Sequence, residues 1–170
     1  LVLSLVGSPV VSIDAVGTPV LSDSEDVANA RLAFENGCVA VLTASRVGTK
    51  AERKVRVFQP DCYIGVDFLG RSMRTVRRNG PASNFEDLEI DDRQFSEADE
   101  LAREVEAFAR AVAGGTGAPV EGSEGIRALE VADRINRNIQ AHRGVIASMP
   151  GRSATVSAAA GKPVDGDPLR

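Results

Sequence analysis

Four polar side chains near one strand end are the best candidates in the sequence for binding a hydroxylated ligand. Thr43 and Ser45 alternate with small apolar residues in a strand-like run, Arg46 ends that run, and Lys50 follows in a polar loop. Hydroxyl, guanidinium and ammonium groups donate the hydrogen bonds that sugar oxygens and phosphates accept. We predict that these four residues bind substrate. The alternative is that they belong only to a sheet edge or an interface.

No residue stands out as catalytic, cofactor-binding or metal-ligating. The single histidine, His142, falls near a predicted helix end, where partnering the helix dipole is the commoner role and general-base catalysis the alternative. The glycine-rich residues 114–117 follow a helix, which favours a connector over a phosphate loop. Cys38 and Cys62 are too few for a disulfide framework, and we expect two buried free thiols in a reducing cytoplasm. They also leave a zinc site short of ligands.

Charge is distributed unevenly along the chain. Residues 46–78 carry nine Lys and Arg against three acids, whereas residues 86–106 carry ten acids against two arginines. The excess of six cations favours an anionic ligand, because arginine has forked donors that match phosphate oxygens. The alternatives are that these cations face water or neutralise the acidic segment. With 4% aromatic residues for base stacking we expect no nucleic-acid partner, and without an apolar run of about 20 residues no membrane partner.

Strand patterns fill the first half of the chain. Residues 1–7 resemble a helix end stopped by Gly7, and Asn36-Gly37 is typical of a tight hairpin turn. Connections this short require antiparallel neighbours. The predicted strands are residues 10–20, 27–34, 38–46, 53–59, 62–69, 72–78 and 88–90.

Helical spacing begins after residue 95. Ser96 is predicted to cap a helix that ends at Gly114-Gly115, and a second helix runs from Ser123 to Gly144. Its apolar stripe is Ile126, Leu129, Ala132, Ile135 and Ile139. Strands followed by helices predict an α+β fold, an open, largely antiparallel β-sheet with helices packed on one face. The strand face bearing Val39, Val41, Thr43 and Ser45 is unusually apolar for a surface, so we expect a homo-oligomer formed through this sheet face.

The order of these segments resembles the C-terminal domain of the glucose–fructose oxidoreductase/inositol dehydrogenase/MocA (Gfo/Idh/MocA) family. The similarity lies in the helix and first strand of residues 1–10, the hairpin of residues 26–46, and the helical segments of residues 108–115 and 121–132 together with Pro119. It covers residues 1–144. The resemblance implies an NAD- or NADP-dependent dehydrogenase acting on a hydroxyl of a sugar, nucleotide sugar or cyclitol.

The departures from the family pattern set limits on this expectation. The sequence has neither a G-x-G-x-x-G turn after a strand nor the family's Glu-Lys-Pro segment, so the family's catalytic residues map onto no position here. The chain also starts at Leu1 within a helix pattern. We therefore expect residues 1–147 to form the substrate and oligomerisation domain, residues 148–170 a mobile tail, and an N-terminal dinucleotide-binding domain outside this chain to bind NAD or NADP. The chain alone should be inactive. The alternative is a non-enzymatic interaction domain that docks proteins on its sheet face.

Overall fold

A short helix, seven strands and two longer helices follow one another in the order that the sequence patterns predict. The computed structural model describes residues 1–78, 87–115, 117–118 and 120–148, with the backbone alone for residues 145–148. The helices are α1 (Val2–Val6), α2 (Glu100–Gly114) and α3 (Gly122–Ser148). The strands are β1 (Val10–Thr18), β2 (Val27–Phe34), β3 (Val39–Ser45), β4 (Lys54–Phe58), β5 (Cys62–Asp67), β6 (Ser72–Arg78) and β7 (Leu88–Gln94). The predicted tail lies outside the described residues, apart from Ser148.

The strands form two antiparallel sheets. Their orders are β1-β2-β3 and β4-β5-β6-β7, and neighbours along the chain are neighbours in each sheet. The Asn36-Gly37 turn joins β2 to β3 as predicted: Gly37 adopts a φ of 83°, and the amide nitrogen of Phe34 donates to the carbonyl oxygen of Cys38 at 2.9 Å. The α+β class and the antiparallel pairing are confirmed. The division into two sheets was not visible in the sequence, because alternation within a strand does not reveal where a sheet ends.

The core lies where α3 crosses the first sheet. Ile139 is 1% exposed and packs against Ala15 of β1 and Ala30 of β2. The side chain of Asn138 accepts a hydrogen bond from the backbone nitrogen of Ala15 at 2.7 Å, and Arg134 donates to the carbonyl oxygen of Val10 at 3.2 Å. Apolar packing and backbone capping therefore come from the same helix face.

The helix ends agree with the prediction at two glycines and differ elsewhere. Gly7 and Gly115 cap α1 and α2 in the left-handed conformation, with φ of 61° and 63°. The predicted Ser96 cap is wrong, since Asp99 caps α2 by accepting from the backbone nitrogen of Ala102. Residues 95–97 are held beside the turn into β6, where the backbone nitrogen of Phe95 donates to the carbonyl oxygen of Arg71.

The predicted end of the second helix at Gly144 is also wrong, because α3 continues to Ser148. A glycine inside a helix costs only about 1 kcal/mol relative to alanine, which the surrounding helix tolerates. The predicted stripe packs only in its second half. Ile135 and Ile139 meet the sheet, whereas Ile126 and Leu129 are exposed.

The apolar face of α2 is largely exposed. Ala111 is its buried residue, and the side chains spaced along the helix face are open to solvent: Leu101, Val105, Phe108 and Val112. Among the described residues, no helix is long and apolar enough to cross a membrane.

Candidate functional site

Thr43 and Ser45 lie on the same exposed face of β3, near its end. The Thr43 hydroxyl donates to the side-chain oxygen of Asn29, its cross-strand partner on β2, at 2.9 Å. The Ser45 hydroxyl accepts from the backbone nitrogen of Val47 at 3.3 Å and so stabilises the turn that follows the strand. Two hydroxyls and an amide thus form a small polar area at this end of the first sheet.

Arg46 is held by the loop that joins β1 to β2. Its guanidinium donates to the Ser24 hydroxyl at 3.0 Å and to the Glu25 carbonyl oxygen at 2.9 Å, and it forms an ion pair with Asp26 at 3.1 Å. All three contacts are made by its Nη2 atom. Lys50 is exposed in the loop after β3, and the structure describes no hydrogen bond or ion pair of its side chain. The structure therefore brings Thr43 and Ser45 together, and Arg46 is directed to a different group.

That group is Asp26, which the sequence reasoning missed. It is 4% exposed, and its carboxylate accepts hydrogen bonds from the backbone nitrogens of Val20, Leu21 and Ser22 at 2.9, 2.6 and 2.9 Å. The donated hydrogen bonds, that from Val20 foremost, hold the pKa of Asp26 far below its usual range. The sequence signal was an aspartate closing a Ser- and Asp-rich segment before a strand, because Asp favours loops in which its carboxylate accepts backbone N–H groups.

Glu25 links the same loop to α3. Its carboxylate accepts from Arg143 at 2.9 Å and from Gln140 at 2.7 Å. A hydrogen bond from its own backbone, followed by that from Arg143, lowers the pKa of Glu25. Residues 24–26 therefore connect the end of β3 to α3.

An apolar surface adjoins the polar area. Val16 and Val41 are exposed on the sheet face opposite α3, Val41 to 71%, and they line a shallow hollow with Asp14, Asn29 and Arg31. This is the face on which the sequence predicted self-association.

The cations of residues 46–78 lie mostly outside this area. Apart from Arg46 they belong to the loop after β3 or to the second sheet, whereas Thr43 and Ser45 belong to the first sheet. Two of them pair with the acidic segment, Arg71 with Glu97 at 3.2 Å and Arg74 with Asp92 at 2.6 Å. The sequence could not assign them because it does not show which strands share a sheet.

The two cysteines differ in burial. Cys62 is buried as predicted, but Cys38 is exposed because it lies in the turn before β3, where its backbone nitrogen donates to the side-chain oxygen of Asn36. His142 is exposed and lies more than a turn before the end of α3, so its predicted interaction with the helix dipole is wrong. The glycine-rich connector begins with the Gly115 cap, and its Thr116 lies outside the described residues.

Within the described ranges, no group of three His, Cys, Asp or Glu could hold a metal ion.

Known proteins similar to this chain are sugar oxidoreductases. UDP-N-acetylglucosamine 3-dehydrogenase from Acidithiobacillus ferrooxidans is 32% identical over 142 residues, a match covering 83% of this chain and 45% of that protein. A solved structure of that enzyme has a TM-score of 0.74 at 32% identity and covers 82% of this chain and 43% of its own. No family model matches the chain.

More distant structures share the fold. The aldose–aldose oxidoreductase of Caulobacter crescentus has a TM-score of 0.67 at 21% identity, covering 83% of this chain and 42% of its own. Levoglucosan dehydrogenase, solved with NADH and L-sorbose, has a TM-score of 0.64 at 12% identity, covering 75% and 42%.

Fold and similarity together define an α+β domain of the kind found in the C-terminal part of sugar oxidoreductases. The chain belongs to the Gfo/Idh/MocA family and corresponds to its C-terminal domain, as the sequence resemblance implied. It spans 45% of the length of the curated relative that it matches.

Proposed function

We propose that this chain is the substrate-side part of an NAD(P)-dependent oxidoreductase that acts on a hydroxyl of a nucleotide sugar. The observation that carries the proposal is the 32% identity over 142 residues to a UDP-N-acetylglucosamine 3-dehydrogenase. The match includes most of this chain, so it extends over both sheets and is not limited to one short motif. A UDP-linked amino sugar is therefore the first substrate to test.

In this proposal Thr43 and Ser45 contribute to the wall of the substrate site. Both hydroxyls lie on an exposed face. Each can exchange its hydrogen bond within the chain, to Asn29 for Thr43 and to Val47 for Ser45, for one to a sugar hydroxyl. Lys50 is exposed five residues after Ser45, and the structure describes no partner for its side chain. It is therefore a better candidate than Arg46 for binding an anionic part of the substrate. Arg46 is a positioning residue, because its contacts with Ser24 and Asp26 fix the loop behind the strand end.

The described residues do not fit a dinucleotide. A Rossmann-type site needs a parallel strand-helix-strand unit with a glycine-rich first turn, whereas all strand pairs in the described ranges are antiparallel. When bound, NAD(P) accepts the hydride that leaves the substrate carbon. We propose that a dinucleotide-binding domain outside this chain holds it, and that residues 1–147 form the partner domain. Support comes from the length of the relative, of which this chain spans 45%.

Exposed apolar surfaces support the presence of further protein. Large apolar side chains are exposed on α2 and on the sheet face of Val16 and Val41: Leu101 is 70% exposed and Val41 is 71% exposed. Exposed apolar patches usually mark a contact with another protein surface. We propose that the Val39 and Val41 face pairs with a second copy of the protein.

The proposal is tested with the protein encoded by the complete reading frame that contains this chain. Absorbance at 340 nm should rise when NAD+ or NADP+ is mixed with UDP-N-acetylglucosamine, and it should rise far less with free N-acetylglucosamine. Lys50→Ala should raise the KM for the UDP-sugar, with Arg103→Ala on the exposed surface of α2 as a charge-matched control. Equal turnover of the UDP-sugar and the free sugar would remove the nucleotide from the proposal.

The second candidate function is a non-enzymatic docking domain, favoured by the exposed Val41 face alone. It predicts no turnover of any sugar hydroxyl and a stable complex formed through the first sheet. A reading frame whose preceding residues lack a glycine-rich strand-turn-helix would favour this second function.

A further inference from the structure

A groove on the second sheet is independent of the site described above. It has a volume of about 510 Å3 and lies across β4, β5, β6 and β7. On the sheet face of Gly65, three cationic and two acidic side chains line it, so its charge is net positive: Lys54, Arg56 and Arg74 against Asp67 and Asp92. None of the roles proposed so far uses this groove.

The floor of the groove is a glycine between two arginines. In the strand register Gly65 pairs with Arg56 on one side and with Arg74 on the other, so both arginines project from the same sheet face as the glycine. The Tyr63 side chain occupies the space that a side chain on Gly65 would fill, so its phenolic oxygen lies directly above the glycine. A Cβ placed on Gly65 would be 2.7 Å from the Tyr63 phenolic oxygen.

Donors remain free at this point. Within the described part of the chain, neither the Arg56 guanidinium nor the Tyr63 hydroxyl has a hydrogen-bond or ion-pair partner. Arg74 is oriented by Asp92, which accepts from its Nε and Nη2 atoms at 2.6 and 2.7 Å. This bidentate pair raises the pKa of Arg74 and leaves the Nη1 donors available.

An aromatic surface adjoins the donors. Phe58 is 75% exposed, and its ring centroid lies 5.3 Å from that of Tyr63. An exposed ring beside guanidinium donors allows a heterocycle to stack while its phosphate is bound.

We propose that Arg56, Arg74 and Tyr63 form a phosphoryl-binding site over Gly65, with Phe58 as the stacking surface for a ring carried by the same ligand. Two guanidinium groups on adjacent strands provide directional donors that match phosphoryl oxygens, and the phenol adds a third. The site takes phosphate esters that bear a flat ring, a class that includes nucleoside diphosphates. It does not depend on the proposed enzymatic function, because it is a statement about binding to this chain alone.

The test is a titration of the 15N-labelled 170-residue chain with UDP and, separately, with inorganic phosphate, followed by NMR. Amide shifts should change at Arg56, Gly65 and Arg74 with both probes. Tighter binding of UDP identifies the ring-bearing ester as the ligand, whereas equal affinity identifies phosphate alone. Arg56→Ala should weaken binding by roughly tenfold, because it removes charge-assisted hydrogen bonds to the phosphoryl oxygens.

Matched variants separate the site from general charge and from misfolding. Arg31→Ala removes an exposed arginine from the other sheet and should leave the affinity unchanged. Tyr63→Phe keeps the ring and removes the phenolic donor, so it should weaken phosphate binding while preserving the folded spectrum. Shift changes confined to other residues, or equal losses for Arg31→Ala and Arg56→Ala, would overturn the proposal.

Discussion

The packing of α3 against β1 makes a specific prediction at Gly17. A methyl group at this position would lie 2.7 Å from Cγ of Glu25 and 2.9 Å from Cγ2 of Ile139. Neither neighbour moves easily, because Ile139 is fully buried and Glu25 is held by Arg143 and Gln140. Gly17→Ala must therefore separate α3 from the sheet or break the Glu25 contacts.

The magnitude follows from two opposing effects. Overpacking a filled site costs about 1–3 kcal/mol, and replacing glycine by alanine returns about 0.4–1 kcal/mol by restricting the unfolded chain. The free energy of unfolding should thus fall by about 1–2 kcal/mol. Urea denaturation followed by circular dichroism measures this difference directly. For a chain of this size each 1 kcal/mol lowers the Tm by about 2–4 °C.

Two further variants make the test decisive. Gly48→Ala is the control, because its nearest described neighbour would be 3.6 Å away, an ordinary contact, so it should show only the gain of about 0.4–1 kcal/mol from the restricted unfolded chain. Ile139→Ala alone should cost about 2–5 kcal/mol. In the double variant the added methyl group enters the vacated space, so the combined loss should be smaller than the sum by at least about 0.5 kcal/mol. A Gly17→Ala protein as stable as the wild type, or strict additivity in the double variant, would refute this packing.

Three other predictions follow from the site and the surfaces. The pKa of Asp26 in the folded state is depressed below its ordinary value of 3.8, so the ionised carboxylate stabilises the fold above that pH and this stabilisation is lost as the pH falls below it. In thermal scans Asp26→Asn should therefore lower the Tm at pH 7 and should lose less Tm than the wild type between pH 7 and pH 3. An equal loss of Tm over this pH range in both proteins would contradict this. Val41→Lys should weaken self-association in sedimentation velocity without changing the Tm, and a wild-type chain that is monomeric at high concentration would exclude the interface. The 170-residue chain should bind neither NADH nor NADPH in calorimetry, and micromolar binding would contradict the two-domain proposal.

The sequence predicted local features that depend on a few adjacent residues. Gly7 and Gly115 end helices because glycine adopts positive φ without strain, and Asn36-Gly37 makes a hairpin for the same reason. The strand positions followed from alternation, and β7 was found although its length was underestimated.

Features that depend on residues distant in the chain were not predicted. Asp26 acquires its role from a loop that folds back to it and from Arg46, 20 positions later in the chain. The exposed half of the α3 stripe depends on where the helix crosses β1, which helical spacing does not specify. The placement of a substrate site at the Thr43 and Ser45 end of β3 stays a prediction, whereas the ion pair between Arg46 and Asp26 required the structure.

The central claim is that this chain forms the substrate side of a sugar oxidoreductase. The most direct measurement is the steady-state kinetics of Thr43→Ala and Ser45→Ala in the protein from the complete reading frame, with Arg103→Ala on the exposed surface of α2 as control. We predict that the two hydroxyl deletions raise the KM for the UDP-sugar and leave the KM for NAD(P)+ unchanged. A raised KM for the cofactor with an unchanged KM for the sugar would contradict the claim.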